Sequence, residues 1–315
     1  MQDLQKTKCW FHLLKLIVKM ANQKKAYLFA AMAVLFWSTA STSFKLTLRY
    51  LSTIELLFYS SLTASIALFI IILFQGKTAN IFKSGSREIF NSAILGFMNP
   101  FLYYLILFKA YTLLPAQIAQ PLNFIWPIMI VILSIPILKQ KISVKSLLAI
   151  FISFIGVLLI STKGRLFNLN IDEPFGVFLA LSSSIVWALF FIINVKNKND
   201  EVIRLFLSFT FGCIYTFILF YPHISSPPIL GILGAIYIGL FEMGITFVIW
   251  TKALKYSSTT VQVNNLIYLT PFLSLIVIRI VIKESILISS IAGILFIICG
   301  IVLQNRIGNK QVVKN

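Results

Sequence analysis

The carboxylate of Glu242 stands out among the groups in this sequence that could do chemistry. It falls near the middle of a long apolar run, with no other acidic side chain at comparable depth. At helical spacing, Ala235, Gly239, Glu242 and Thr246 form one stripe of small and polar residues, which faces protein or a cavity rather than lipid. Glu242 could therefore bind an ammonium group or carry a proton. The alternative is a protonated carboxyl that bonds a neighbouring helix.

Amide side chains are the second group of interest, and they recur in other apolar runs. Asn99 holds the place equivalent to Glu242 in an earlier run, with Tyr103 on the same helix face. Two further runs carry amides beside prolines, and a proline inside a helix frees a backbone carbonyl one turn earlier. Interrupted helices of this kind form the binding sites of many membrane carriers. The alternative role of each amide is to hold one helix against another.

Aromatic rings complete the candidate site. Trp37 and Trp187 lie deep within their runs, beside Ser38 and Ser184, and could stack on a ring or shield a cation. We predict a substrate cavity lined by these residues: Trp37, Asn99, Tyr103, Gln120, Asn123, Trp187, Glu242, Thr246, Asn264, Asn265 and Tyr268.

The composition indicates that apolar helices position these side chains. Hydrophobic residues make up 59% of the chain and charged residues 11%, and the mean hydropathy is +0.93. A soluble domain keeps roughly 25% charged residues on its surface, so most of this surface faces something apolar. A spanning helix needs about 20 mostly apolar residues. Ten segments meet that rule: 27–48, 54–74, 89–112, 115–138, 146–162, 175–195, 203–221, 229–254, 259–282 and 286–304.

The basic residues predict the orientation. With the N-terminus inside, 20 of the 27 Lys and Arg residues fall on the inner side of the membrane and 7 on the other. The excess predicts that both termini lie in the cytoplasm, and we expect the chain to lie in the inner (plasma) membrane. The net charge of +18 therefore indicates contact with anionic headgroups of the bilayer rather than with nucleic acid.

The sequence carries none of the motifs of common enzymes, metal sites or nucleotide-binding loops. Its three cysteines, Cys9, Cys213 and Cys299, show no paired spacing. We therefore predict no catalytic residue, no metal and no cofactor, and we expect the chain not to be an enzyme.

Residues 1–26 precede the first span as a separate segment. Apolar residues interleave with lysines there, which is typical of an amphipathic helix that lies on the membrane surface. Translation from Met20 is an equally weighted alternative. At the other end, residues 305–315 are predicted to be a cytoplasmic tail.

The two series of five spans resemble each other, which predicts two repeats, 27–162 and 175–304. Equivalent residues recur in the same order at offsets of 143, 144 and 150: Lys109 and Lys252, Gly96 and Gly239, Pro127 and Pro271, Gln140 and Glu284, Gly156 and Gly300, Trp37 and Trp187. Because each repeat has an odd number of spans, the second enters the membrane from the opposite side. Inverted repeats of this kind are the architecture of many secondary transporters.

These residues also resemble the EamA type of the drug/metabolite transporter superfamily. The segments that carry the resemblance run from Ile238 to Leu254 and from Pro271 to Glu284, with Gly293 and Gly300 in the last span. The resemblance covers roughly residues 27–304. It implies ten helices in two repeats, with the third, fourth, eighth and ninth helices as cavity walls. The sequence departs from the pattern at Gln140, where the family usually has Glu, and we interpret this change as structural.

Together these features predict a secondary-active transporter that works by alternating access. The expected partners are a small-molecule substrate, the lipid bilayer, and either a coupling proton or a counter-substrate. The nearly uncharged cavity set favours export of amino acids or similar neutral or amphipathic metabolites. The alternatives are an exchanger that imports a cationic metabolite such as S-adenosylmethionine and, more remotely, a non-transporting receptor or scaffold.

Overall fold

The computed structural model describes residues 2–139, 144–165, 171–195, 200–221, 227–257, 263 and 265–312. Within these ranges the regular structure is entirely helical. The first helix extends over Gln2–Thr47, and its side chains are described from Asn22 onward. The surface helix predicted for residues 1–26 therefore concerns side chains outside the described part, as does the tail 305–315 apart from Arg306.

Ten apolar helical segments succeed one another along the described chain. Eight are long and apolar enough to cross a membrane: α1 (Asn22–Thr47), α2 (Thr53–Phe74), α3 (Ser86–Leu113), α4 (Ala116–Leu138), α5 (Val144–Ser161), α6 (Pro174–Asn194), α7 (Glu201–Phe220) and α8 (Ile229–Tyr256). Two are shorter: α9 (Leu266–Ile282) and α10 (Ile288–Gln304). A one-turn helix, Thr78–Phe82, lies between α2 and α3. These segments are helices because hydrocarbon cannot satisfy free backbone N–H and C=O groups.

The hydropathy prediction of a multi-pass helical membrane protein is confirmed, with span ends that agree within a few residues. Hydropathy predicts that the ninth segment begins at Thr259. Residues 258–262 and 264 lie outside the described part, so α9 is described only from its 3₁₀ turn Asn265–Leu269 onward.

Two of the helices are interrupted at matching places. In α3, a π-helical stretch (Phe97–Leu102) separates Ser86–Gly96 from Tyr103–Leu113. In α8, a π-helical stretch (Gly239–Gly244) separates Ile229–Ile238 from Ile245–Tyr256. π-Helical turns often mark functional positions, because the extra residue releases backbone groups from the regular ladder. Asn99 and Glu242 each lie inside one of these stretches.

A second matching pair of breaks lies in α4 and α9. Helix α4 consists of Ala116–Asn123 and Trp126–Leu138, and α9 restarts at Thr270–Val277 before its final turn Ile278–Ile282. Pro127 and Pro271 lie in the first turn of the restarted helices, where the missing N–H costs nothing. Both helices end on a lysine in the left-handed conformation, Lys139 (φ 54°) and Lys283 (φ 62°).

Helices α5 and α10 pack against each other in antiparallel fashion through small residues. A Cβ atom on Gly156 would lie 2.5 Å from the carbonyl oxygen of Gly293, and one on Gly300 would lie 2.5 Å from that of Ala149. These two contacts are equivalent at the offset of 144. Side-chain-free positions therefore set the close approach of the two helices.

A further equivalent pair of contacts joins α3 to α7 and α8 to α2. A Cβ atom on Gly96 would clash with the carbonyl oxygen of Ser208, and one on Gly239 with that of Ser60. Each interrupted helix thus lies against a helix of the other half, with its glycine at the crossing.

Polar contacts tie the helix ends together. Lys77, after α2, pairs with Asp200 before α7 at 2.6 Å. Between α5 and α6, Asp172 pairs with Lys163 at 2.6 Å and Arg165 at 2.7 Å. These two cations hold the pKa of the exposed Asp172 carboxyl below its ordinary value. The connection between the two series of helices is therefore held by an ion-pair network at its edges, while residues 166–170 lie outside the described part.

Candidate functional site

A cavity lies among α1, α3, α4, α6, α8 and α9 and has an empty volume of about 650 Å³, including the part open to solvent. Six of the predicted residues line it: Trp37, Tyr103, Gln120, Asn123, Trp187 and Glu242. The interrupted helices therefore bring together side chains that are up to 205 positions apart in the chain.

Glu242 is held by two neighbours. The hydroxyl of Tyr104 donates a hydrogen bond to its Oε1 at 3.1 Å, and the indole N–H of Trp37 donates to its backbone oxygen at 3.4 Å. Its other carboxyl oxygen, Oε2, is buried and has no hydrogen-bond partner among the described residues. In this π-helical stretch one carboxyl oxygen of Glu242 is therefore bonded to the protein and the other has no partner, while the residue lines the cavity.

Gln120 is oriented by a chain of hydrogen bonds. Ser274 donates its single hydroxyl proton to the backbone oxygen of Ser38 at 2.7 Å, so its oxygen must accept from the amide N–H of Gln120, 2.6 Å away. This order fixes the amide with its nitrogen toward Ser274. Oε1 of Gln120 consequently points elsewhere and lacks a partner within the described chain.

The amide of Asn123 is also oriented by hydrogen bonds, and here both the oxygen and the nitrogen have partners. Tyr103 donates its hydroxyl proton to Oδ1 at 3.2 Å, and Nδ2 donates to Ser183 at 2.8 Å. Ser183 in turn donates to the backbone oxygen of Ala180. Asn123 therefore joins α3, α4 and α6, which is the helix-joining role considered for the amides.

Aromatic rings form one side of the cavity. Phe247 lies 5.8 Å from Trp37 and 5.8 Å from Trp187, measured between ring centroids. Trp187 also contacts Tyr103 at 4.9 Å and Trp126 at 6.5 Å. Faces of these rings can pack on an apolar group or interact with a cation.

Three other predicted residues, Asn99, Thr246 and Tyr268, do not line the cavity. Asn99 is fully buried, and neither of its amide atoms has a partner in the part of the chain that the structure describes. Thr246 is buried and donates to the backbone oxygen of Phe241. Tyr268 is largely buried, outside the lining. Asn264 lies outside the described residues, as does the side chain of Asn265.

Sequence reasoning missed several lining residues, including Ser41, Phe44, Tyr111, Phe247 and Thr270. Ser41 and Phe44 follow Trp37 on the same face of α1, and Tyr111 lies two turns after Tyr103 on α3. Helical spacing from the predicted residues could therefore have identified these three as lining residues. The hydroxyl of Tyr111 donates to Ser41 at 2.9 Å and joins α3 to α1. Thr270 has a buried Oγ1 without a partner among the described residues.

A mainly apolar cavity with a few polar side chains, among interrupted helices long enough to span a membrane, is typical of multi-pass membrane proteins that bind small molecules. Comparison with known families agrees with this class. The model of the EamA-like transporter family matches residues 24–162 and 174–306, and the chain therefore belongs to the EamA-like transporter family. The predicted resemblance is thereby confirmed.

Curated relatives of this chain are described as transporters. An uncharacterized transporter of Clostridium kluyveri is 28% identical over 56% of this chain and 58% of its own length, so the match spans little more than half of that relative. An uncharacterized transporter of Archaeoglobus fulgidus is 24% identical over 90% of this chain and 99% of its own length. The uncharacterized transporter YvbV of Bacillus subtilis is 25% identical over 63% of this chain and 66% of its own length.

A solved crystal structure is similar in fold. It superposes with a TM-score of 0.62 at 17% identity and covers 91% of this chain and 99% of the other. At that identity the similarity concerns the fold alone.

Proposed function

We propose that this protein is a secondary-active carrier that exports small amphipathic metabolites, amino acids or related compounds, by alternating access through the cavity around Glu242. The observation that carries this proposal is the free carboxyl oxygen of Glu242 in the wall of a cavity built from interrupted helices. Energy would come from an ion or substrate gradient, since the sequence has no nucleotide-binding loop.

Equivalent contacts support two inverted repeats, at 27–162 and 175–304. The contact of Gly156 with Gly293 is equivalent to the contact of Gly300 with Ala149. Gly300 is the counterpart of Gly156, and Gly293 is the counterpart of Ala149, at the same offset of 144 positions. A two-fold rotation that exchanges two antiparallel helices has its axis perpendicular to both helices. If α5 and α10 cross the bilayer, that axis lies in the membrane plane. This is the symmetry that interconverts inward-open and outward-open states of carriers.

The contacts of the helix ends support the predicted order of membrane crossings. Lys77 and Asp200 belong to connections predicted on one side of the membrane, and Glu284, Ala116 and Gln117 lie at connections predicted on the other. The excess of Lys and Arg on the first side is the basis on which we propose an inner-membrane protein with both termini in the cytoplasm.

Import of a cationic metabolite by exchange is the second candidate, and one feature favours it. The lining residues include one carboxylate and no Lys, Arg or His within the described chain. A cavity of that charge suits a cation as well as a zwitterion. The direction of net movement separates the two candidates.

A metabolite screen tests the proposal. Cells that express wild type, Glu242→Gln or Glu173→Gln receive labelled metabolites, and mass spectrometry follows these inside and outside the cell. Glu173 is exposed between the halves, so its variant makes the same chemical change away from the cavity. We expect a compound class that moves with wild type and Glu173→Gln but not with Glu242→Gln. Equal movement in all three strains, at equal verified expression, would contradict the role of Glu242.

A further inference from the structure

The free polar atoms of the cavity can all accept hydrogen bonds. Three lining side chains have a buried oxygen without a partner in the described structure: Oε2 of Glu242, Oε1 of Gln120 and Oγ1 of Thr270. Buried polar atoms are normally paired, so each unpaired one requires an explanation. A ligand that brings several donors would satisfy all three.

Several donors of the lining, by contrast, already bond to the protein. The amide nitrogens of Gln120 and Asn123 donate to Ser274 and Ser183. The hydroxyls of Tyr103 and Tyr111 donate to Asn123 and Ser41. The bond between Gln120 and Ser274 cannot be reversed, because Ser274 donates its hydroxyl proton to the backbone oxygen of Ser38 in α1.

The lining is also poor in groups that could bind a carboxylate. Within the described chain it holds no cationic side chain. Its remaining donors are neutral: the indole N–H groups of Trp126 and Trp187, the hydroxyls of Ser41 and Thr270, and the second amide N–H of Gln120 and of Asn123. An ionised carboxylate that leaves water without a charged partner loses hydration that neutral donors replace only in part.

We propose that the preferred substrate is a primary amine on a flat apolar or aromatic body, without a carboxylate. This inference rests on the proposed function, and among its small amphipathic metabolites it selects amines over amino acids. The three N–H groups of an ammonium match the three free acceptors in number, and Glu242 supplies the opposite charge. The rings of Trp37, Trp187 and Phe247 pack on the apolar body.

Three ligands that each contain a phenyl ring distinguish the contributions of the positive charge, the N–H groups and a carboxylate. 2-Phenylethylamine carries the proposed ammonium, its N,N,N-trimethyl derivative keeps the charge but has no N–H group, and phenylalanine adds a carboxylate. Binding to purified protein in lipid nanodiscs is measured by calorimetry. Because a hydrogen bond to a charged group is worth about one order of magnitude in affinity, we expect 2-phenylethylamine to bind at least about tenfold more tightly than either analogue.

Thr270→Val tests the acceptor directly, because it removes an unpaired hydroxyl while keeping the shape. We expect it to weaken 2-phenylethylamine about three- to tenfold and to leave the trimethyl derivative unchanged. Thr42→Val is the matched control, since Thr42 also has a buried, unpaired hydroxyl in the described structure but lies outside the cavity lining. It should bind all three ligands as wild type does.

Three results would overturn the inference. Equal or tighter binding of phenylalanine would show that a carboxylate is accepted, and would leave the proposed carrier intact. Equal binding of the trimethyl derivative would show that N–H groups are not recognised. Absence of binding of all three by protein with a normal elution profile and melting midpoint would exclude the amine class. The metabolite screen would then decide separately whether the chain is a carrier.

Discussion

The hydroxyl of Tyr104 donates a hydrogen bond to Oε1 of Glu242 at 3.1 Å, across 138 positions of sequence. Tyr104 is fully buried in α3, whereas Glu242 lies in the π-helical stretch of α8. The bond joins one half of the chain to the other at the cavity wall. It also holds one of the two carboxyl oxygens in place, and this relationship can be tested without altering the carboxyl itself.

We expect Tyr104→Phe to lower transport about tenfold, mainly through a higher KM, because the carboxyl loses the donor that orients it. The measurement is a concentration series of substrate flux in proteoliposomes. Tyr215→Phe is the control, since the hydroxyl of Tyr215 donates to the backbone of Ala93 at 3.2 Å and takes no part in the cavity lining. Unchanged kinetics in Tyr104→Phe would show that Glu242 needs no orienting donor.

Hydropathy and spacing are sufficient to predict the helices and much of the cavity. The apolar runs predict where α1–α8 begin and end because a bilayer admits few other conformations. The offsets between the halves predict that Asn99 and Glu242 occupy equivalent places. Spacing therefore assigns both to the cavity, although only Glu242 lines it.

The part that could not be predicted depends on local backbone geometry. Residue spacing assumes a regular helix, and the stretches Phe97–Leu102 and Gly239–Gly244 rotate the helical turns on their C-terminal side. The side chain of Asn99, in extended backbone conformation (φ −147°, ψ 118°), consequently lies away from the cavity. Thr270 was not predicted as a lining residue, because its position depends on where the helix in α9 restarts. The neighbouring Pro271 locates that restart only to within one helical turn.

Glu284 caps the first half of α4 from the other half of the chain. Its carboxyl oxygens accept the backbone N–H groups of Ala116 at 3.2 Å and Gln117 at 3.4 Å. A carboxylate at a helix N-terminus contributes about 1 kcal/mol. We expect Glu284→Gln to lower the apparent melting midpoint in detergent by about 1–3 °C, because one acceptor and the charge are lost.

Gln117 makes more hydrogen bonds than Glu284 where the start of α4 meets residues 284–290, so the stability effects of changing the two residues can be compared. Its amide donates to the backbone of Ser285 at 2.9 Å and accepts from Leu287 at 2.9 Å and Ser290 at 3.1 Å. Gln117→Leu should therefore destabilise more than Glu284→Gln does. The reverse order would contradict this description of the junction. The Gln140 that is equivalent to Glu284 lies outside the described residues.

Asp200 provides a pH-dependent contact outside the spans. Partial burial opposes its ionisation, but Lys77 and the N–H groups of Ile203 and Val202 outweigh burial and hold its pKa below the ordinary 3.8. The ionised carboxyl therefore stabilises the fold above the unfolded pKa, and this contribution is lost as pH falls through the folded pKa. For a partly exposed pair we expect Asp200→Asn to lower the midpoint by only about 1–2 °C at pH 7.

A pH series of melting midpoints checks this sign. The difference between wild type and Asp200→Asn should shrink as pH falls from 6 toward and below about 4. Glu201→Gln, a neighbouring exposed change, should show no such trend. A difference that stays constant or grows on acidification would contradict the ionised pair.

Alternating access makes a specific prediction for Asn99. If the halves exchange conformations, Asn99 should line the cavity in the other state, just as Glu242 does in this one. In a background without Cys9, Cys213 and Cys299, a cysteine at position 99 should react with maleimide several-fold faster when substrate turnover populates that state. Ser92→Cys serves as the control, because its counterpart Ala235 is buried outside the lining and it should remain protected throughout. Protection of position 99 under all conditions, with flux intact, would show that the two halves do not exchange roles.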